Sequence, residues 1–131
     1  MNHIVCAHDL WHTYSYYFWN ILYLVQSEII SEVTDLLENE TNPVTFSCQA
    51  TGEPVPNITW YFNGVMINVS NASKYNKTSL VNGTSIESSL TIINTQSSDV
   101  GTYTCQAENF IGNDSSSGIL VVNGKYVCSV W

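Results

Sequence analysis

Positive charge is scarce in this sequence. Its 131 residues include three lysines and no arginine against eleven aspartates and glutamates, which gives a formal net charge of −8 at pH 7. A protein that binds phosphate backbones needs lysine and arginine side chains to displace the counterions of the nucleic acid. The composition therefore argues against a nucleic acid partner.

Histidine is missing from most of the chain, because His3, His8 and His12 all lie close to its start. The remainder cannot form a Ser-His-Asp site, and the sequence has no glycine-rich phosphate loop, zinc-protease motif or nucleophile-elbow motif. The three histidines and Cys6 could ligate zinc, but such a site needs a fixed turn that this aromatic stretch does not indicate. We expect no enzymatic activity, no metal site and no cofactor.

Long apolar runs are absent as well. The longest, residues 16–25, is interrupted by Asn20 and is half of the roughly 20 residues that a membrane-spanning helix needs. It resembles the hydrophobic region of a signal peptide cut after Ser27, although no lysine or arginine precedes it. Residues 1–30 are thus interpreted as a signal peptide, a signal anchor or a gene-model artefact, and we expect no strand of the following domain within them.

Cysteine is too sparse for a disulfide-rich miniprotein, since the chain has four. Cys48 and Cys105 lie in the regular part of the sequence that is described below. Cys6 and Cys128 lie in the terminal segments, where they can pair with each other, stay free or bridge to another chain.

Asparagine, serine and threonine, in contrast, are abundant. The N-glycosylation pattern Asn-X-Ser/Thr occurs seven times, against roughly three matches expected by chance at this composition. The excess indicates a secreted or cell-surface glycoprotein. The candidate acceptors are Asn39, Asn57, Asn68, Asn71, Asn76, Asn82 and Asn113.

Beyond residue 30, apolar and polar residues alternate with a period of two, which is typical of β-strands with one buried face. Turn-forming glycine, proline and asparagine separate the segments. This pattern predicts a β-sandwich over residues 31–123, approached by an acidic run at residues 28–40 and followed by a tail or linker at residues 124–131. The inward positions are Val44, Phe46, Cys48 and Ala50; Ile58, Trp60 and Phe62; Ile86, Leu90 and Ile92, interrupted by Ser88; and Tyr103, Cys105 and Ala107.

Cys48 and Cys105 both face inward in this pattern, so a disulfide between them needs no change of register. Such a bridge would stabilise the domain by on the order of 4 kcal/mol through its effect on the unfolded chain. Trp60 also faces inward and is expected to lie against the sulfur atoms.

Three residues before Cys105 have specific roles in a turn that leads into its strand. Tyr103 can bury its ring while its hydroxyl returns to the backbone upstream. Asp99 can accept backbone hydrogen bonds, and Gly101 relieves the tight bend. The basic residues available to pair with Asp99 are Lys74 and Lys77.

Together these residues resemble the signature of immunoglobulin domains, which is Cys48, Trp60 and Asp99-X-Gly101-X-Tyr103-X-Cys105. Two further motifs resemble the I-set subclass, Gly52-X-Pro54-X-Pro56-X-Ile58-X-Trp60 and Ala107-X-Asn109-X-X-Gly112. The resemblance covers residues 33–123. It implies an all-β fold, an immunoglobulin-like Greek-key β-sandwich of two antiparallel sheets.

Members of this family are modules of adhesion molecules, receptor ectodomains, matrix proteins and muscle filaments, and the glycosylation patterns argue against the last group. The resemblance implies an extracellular module that binds a protein in cell adhesion or receptor–ligand recognition, homophilic binding included. The alternatives are a structural spacer in a matrix protein or multi-domain receptor, and a small secreted immune-type binder. The fold itself does not decide among them.

Phe110 and Ile111 occupy the tip of the hairpin between the last two predicted strands. Two adjacent apolar residues at a hairpin tip are candidate contacts for a partner. The alternative is that Ile111 folds back onto the end of the domain.

Overall fold

A computed structural model describes residues 24–70 and 73–124 of the chain. These residues form nine β-strands and one 3-10 turn, Ser97–Asp99. The strands are β1 (Val25–Ser31), β2 (Leu36–Asn39), β3 (Val44–Glu53), β4 (Asn57–Phe62), β5 (Val65–Met66), β6 (Tyr75–Asn82), β7 (Ser85–Ile92), β8 (Gly101–Glu108) and β9 (Asn113–Asn123).

The strands form two sheets that pack face to face. One sheet has the order β1-β3-β7-β6 and the other has the order β2-β9-β8-β4-β5. All pairs are antiparallel except β2 and β9, which run parallel. The predicted all-β sandwich is confirmed, and the parallel pair at its edge is a feature that the alternation pattern did not predict.

The core lies between the sheets and is built from the inward residues of the long strands. The alternation of buried and exposed residues is regular in β3, β7 and β8, because each of these strands has neighbours on both sides and one face on the core. The largest fully buried side chains of the described part are Trp60, Tyr103, Phe46, Leu90, Ile92 and Leu120. Phe46 stacks on Tyr103, with 4.7 Å between the ring centroids.

The expectation that residues 1–30 contain no strand of the domain is wrong. β1 begins at Val25, which pairs with Glu53 of β3 in antiparallel register. The strand escapes sequence detection because it is an edge strand whose fully buried residue is Ser27, so it lacks apolar alternation. A cut after Ser27 would therefore remove the first three residues of a sandwich strand.

The acidic run at residues 28–40 is likewise more than an approach to the first strand, because it contains part of β1 and all of β2. Between these strands the chain crosses from one sheet to the other. The backbone N–H of Val33 donates to Ser116 Oγ at 2.9 Å, and the Asp35 carboxylate accepts the N–H of Ile119 at 2.8 Å. Gly118 makes this crossing fit, since a Cβ at that position would lie 2.6 Å from the carbonyl oxygen of Thr34.

Several predictions concern residues outside the described part of the chain. These are the zinc hypothesis for His3, Cys6, His8 and His12 and the pairing of Cys6 with Cys128. Most of the expected leader and most of the expected tail also lie outside it.

Candidate binding site at the β8–β9 hairpin

A disulfide joins Cys48 of β3 to Cys105 of β8 and so links the two sheets at the centre of the core. Both cysteines are buried, and their Cα atoms lie 6.6 Å apart. Trp60 lies opposite Cys105 in the β4–β8 pair. The predicted bridge is confirmed. Its sequence separation of 57 residues corresponds to about 4 kcal/mol of stabilisation in the chain-entropy model.

Ser88 has a role that sequence alternation did not reveal. It appeared as an interruption between Ile86 and Leu90, yet its hydroxyl accepts a hydrogen bond from the indole N–H of Trp60 at 3.0 Å. Both residues are buried, so the bond satisfies the one polar group of the tryptophan in a place that water does not reach.

The turn before β8 is held together by Asp99. Its backbone carbonyl accepts the hydroxyl of Tyr103 at 2.9 Å, and its carboxylate accepts the N–H of Gln96 at 2.7 Å. The same carboxylate forms an ion pair with Lys74 at 2.6 Å, so Lys74 is the basic partner. Burial raises the pKa of the Tyr103 hydroxyl, and the nearby Tyr75 and Asp99 raise it further.

Lys77, the other candidate, is committed elsewhere. Its ammonium group reaches from β6 across the open side of the sandwich to the carbonyl oxygen of Ile58 on β4. Desolvation by burial lowers the pKa of this ammonium group. Both lysines of the described residues are thus engaged in internal contacts. Among the described residues, no carboxylate other than that of Asp99 forms an ion pair with a lysine.

Gly101 allows a close approach between β8 and the β4–β5 turn. A Cβ at this position would lie 2.5 Å from Asn63 Oδ1 and 2.7 Å from the ring of Phe62. The Asn63 oxygen instead accepts the backbone N–H of Thr102 at 2.9 Å. The glycine therefore permits the hydrogen bond that fixes the start of β8.

The β8–β9 hairpin, residues 109–112, lies at one end of the sandwich together with the β3–β4 loop and the start of β1. We call this end the hairpin pole. Asn109 connects its parts, since its amide group donates to the carbonyl oxygens of Val25 at 2.7 Å and Pro54 at 3.0 Å. Its side-chain oxygen accepts the backbone N–H groups of Ile111 at 3.1 Å and Gly112 at 3.2 Å. One side chain thus fixes both the shape of the hairpin and its position on the domain.

Phe110 and Ile111 project from this fixed hairpin. Phe110 is 72% exposed and Ile111 is 41% exposed, and neither belongs to the core cluster. Ile111 therefore does not fold back to become a core residue. Leu24 and Val25, at the start of β1, add exposed apolar surface at the same pole.

The candidate glycosylation sites are accessible wherever the structure describes them. Asn39, Asn57, Asn68, Asn76, Asn82 and Asn113 are all exposed, and Asn71 lies outside the described residues. Asn68 follows β5, and Asn76 and Asn82 lie on β6, which is an edge strand of its sheet. Asn57 and Asn113 both pair with Glu108, the last residue of β8, beside the hairpin.

Within residues 24–70 and 73–124, no three His, Cys, Asp or Glu side chains are grouped so that they could hold a metal ion. The same residues contain no helix of the length and apolarity needed to cross a membrane.

Comparison with known proteins agrees with this architecture. The family model described as an immunoglobulin domain matches residues 28–109. Human neogenin is 31% identical over 97 residues, covering 74% of this chain and 6% of neogenin. Neural cell adhesion molecule 1 of Gallus gallus is 37% identical over 92 residues, covering 66% of this chain and 8% of that protein. The chain thus spans less than a tenth of the length of these curated relatives.

Solved structures show the same fold. An I-band fragment of titin superposes with a TM-score of 0.70 at 27% identity, covering 77% of this chain and 34% of that fragment. A single titin domain solved at atomic resolution superposes with a TM-score of 0.65 at 29% identity, covering 76% of this chain and 96% of that domain. From the disulfide, the buried tryptophan, the two sheets and the family match, the chain belongs to the immunoglobulin superfamily.

Proposed function

We propose that this chain is an I-set immunoglobulin module that binds a protein partner outside the cell, in adhesion or receptor–ligand recognition, and that it has no catalytic activity of its own. The observation that carries the proposal is the exposed pair Phe110 and Ile111 on a hairpin held by Asn109. The relatives named neogenin and neural cell adhesion molecule support a role of this class.

The hairpin favours binding because it presents apolar surface at little entropic cost. Association is weakened when loops must become ordered on contact. Here the four hydrogen bonds of Asn109 already fix the loop against Val25 and Pro54. An aromatic side chain that stays exposed on such a rigid support is typical of an interface anchor.

The extracellular location is supported by the disulfide and by the exposed asparagines. We propose that this surface carries N-glycans at Asn-X-Ser/Thr sites, with at most one of Asn68 and Asn71 occupied because the two lie too close together. Glycans on Asn68, Asn76 and Asn82 would cover the β5–β6 side of the sandwich. The tip of the hairpin lies away from that side, so these three glycans would leave it open to a partner.

A spacer role is the second candidate, and it is favoured by the path of the chain. β1 begins at the hairpin pole, whereas β9 starts at that pole and runs to the opposite end of the sandwich. A module that the chain enters at one end and leaves at the other suits a linear array. In that case the exposed residues at the pole would contact a neighbouring module of the same protein.

The binding proposal is tested with the double substitution Phe110→Ser and Ile111→Ser. The secreted chain is produced as a dimeric fusion protein, and its binding to a panel of cultured cells is measured. We expect binding to fall at least about tenfold, since each anchor of this kind contributes on the order of 1–2 kcal/mol. The melting temperature should stay unchanged.

The matched control is Val65→Ser with Met66→Ser, an apolar pair on β5 that is 71% and 64% exposed and lies on another side of the molecule. This control should bind as the unmodified chain does. Unchanged binding by the hairpin variant would overturn the proposal, and a large fall in its melting temperature would assign the pair to the core instead.

A further inference from the structure

We infer that a groove beside the hairpin binds a basic side chain of the partner, so that the partner of this module carries an arginine or lysine next to an apolar residue. This inference rests on the proposed function, because it places the basic side chain beside the Phe110 contact. The groove has a volume of about 370 Å³ and runs between β1 and the start of β9. It is lined by Val25, Gln26, Ser27, Glu28, Asn113 and Asp114.

The groove continues directly from the hairpin. Asn113, one of its lining residues, follows the hairpin as the first residue of β9. Val25, on the other wall, accepts the hydrogen bond from Asn109, and Gln26 Nε2 lies 3.5 Å from the carbonyl oxygen of Asn113. A peptide whose apolar side chain contacts Phe110 would therefore place its neighbouring residue at the groove.

The charged side chains of the groove are both carboxylates, those of Glu28 and Asp114. The Asp114 carboxylate is held rigidly, because Oδ2 accepts the N–H of Ile29 at 2.8 Å and Oδ1 accepts the N–H of Ser115 at 2.9 Å. Each oxygen keeps a further lone pair for a ligand. Glu28 is exposed on the opposite wall and adds a second carboxylate.

Ser27 is a further polar residue that lines the groove. It is 2% exposed, and its hydroxyl has no hydrogen-bond partner among the described residues. A buried hydroxyl without a partner costs free energy. Arginine and lysine each carry several hydrogen-bond donors on one charged group, which suits the two carboxylates of the groove.

Within residues 24–70 and 73–124, no lysine compensates the charge of the groove. The two lysines of the described residues lie on or beside β6 and are occupied by Asp99 and Ile58. Carboxylates bind guanidinium and ammonium groups through short, charge-assisted hydrogen bonds. The same excess of negative charge, −8 over the whole chain, disfavours a second copy as the partner, because like charges would face each other.

A partner can enter the groove only where Asn113 carries no glycan, since a glycan there would stand at the mouth of the groove. The test therefore uses the full chain with Ser115→Ala, which removes the Asn-X-Ser pattern without changing a lining residue. Ser115 is exposed, and the hydrogen bond it gives to Asp114 comes from its backbone N–H, so the substitution keeps the groove intact.

The probes are three acetylated dipeptide amides, leucyl-arginine, leucyl-lysine and leucyl-citrulline, titrated against the ¹⁵N-labelled chain and followed by amide chemical shifts. Citrulline keeps the shape of arginine and lacks its charge. We expect saturable shifts at residues 26–28 and 113–114, with the two basic peptides binding about fivefold more tightly than the citrulline peptide at low salt. Glu28→Gln should remove most of this preference, and Glu87→Gln, which changes an exposed acid on β7, should leave it unchanged.

Equal affinity for the arginine and citrulline peptides, or a preference that Glu28→Gln leaves undiminished, would overturn the inference. So would self-association of the chain at the expense of peptide binding. These outcomes are separate from failure of the proposed function. If the hairpin variant loses cell binding while the peptides show no charge preference, the hairpin proposal holds and the groove inference fails. If the peptides show the charge preference while the hairpin variant binds cells normally, the groove binds basic side chains and the hairpin proposal fails.

Discussion

The indole N–H of Trp60 donates to the hydroxyl of Ser88 across the core, with 3.0 Å between Nε1 and Oγ. Trp60 lies opposite Cys105 in the β4–β8 pair, and Ser88 lies opposite Cys48 in the β3–β7 pair. The hydrogen bond and the disulfide therefore link the two sheets at the same level, side by side. One of these links is covalent, and the other depends on a hydroxyl at a position where an apolar residue would be expected.

Removal of that hydroxyl should be costly. Ser88→Ala leaves the buried N–H of Trp60 without its acceptor, so we expect the free energy of unfolding to fall by about 1–3 kcal/mol. Ser89→Ala, on the exposed face of the same strand, should change it by less than about 0.5 kcal/mol. Denaturant unfolding followed by tryptophan fluorescence measures both. Equal effects of the two substitutions would show that the buried hydrogen bond contributes little.

The Lys74–Asp99 ion pair should show measurable coupling. The side chain of Asp99 is 6% exposed and that of Lys74 is 34% exposed, so solvent weakens the interaction without abolishing it. In a double-mutant cycle with Lys74→Met and Asp99→Asn, we expect a coupling energy of about 1 kcal/mol that decreases with added salt. Each side chain also makes one other hydrogen bond, since Lys74 donates to the carbonyl oxygen of Asn94 at 2.8 Å and Asp99 accepts the N–H of Gln96, and the cycle separates these from the coupling. A coupling energy near zero at low salt would contradict this prediction.

Stability should decline at high pH because of Tyr103. Its pKa is raised in the folded state by burial, so the unfolded chain ionises first, near pH 10, and is stabilised as the pH rises further. Tyr103→Phe removes the hydrogen bond to Asp99 and should cost about 1 kcal/mol near pH 8. The difference between the two proteins should shrink above pH 10, by as much as about 1.4 kcal/mol per pH unit. Denaturation midpoints between pH 8 and pH 11 test this, and a constant difference would refute it.

Loss of the first half of β1 should weaken the domain. A chain that begins at Glu28 lacks the pairing of Val25 with Glu53 and the acceptor that Val25 offers to Asn109. We expect its free energy of unfolding to be lower by about 1–3 kcal/mol than that of a chain that begins at Leu24. Equal stability of the two chains would mean that β1 adds nothing before Glu28. The comparison also shows what cleavage after Ser27 would do to the module.

The predicted parts of the fold share one property, which is that local sequence decides them. In β3 and β8, alternation put Cys48 and Cys105 on the same buried side, and the residues from Asp99 to Tyr103 defined the turn before the second cysteine. These strands have a neighbour on each side and one face on the core, so their pattern is regular. β1 and β2 are edge strands with few inward residues, and the pattern there is too weak to identify them.

The candidate site also has parts that the sequence predicts and parts that only the folded structure shows. The sequence by itself determined the sandwich, the disulfide and the position of Phe110 and Ile111 at a hairpin tip, because these depend on period, spacing and turn chemistry. Tertiary structure alone decided the choice of Lys74 over Lys77, the pairing of Ser88 with Trp60, and the groove between Glu28 and Asp114. Each of these joins residues far apart in the chain, and their distance and burial exist only once the two sheets have packed together.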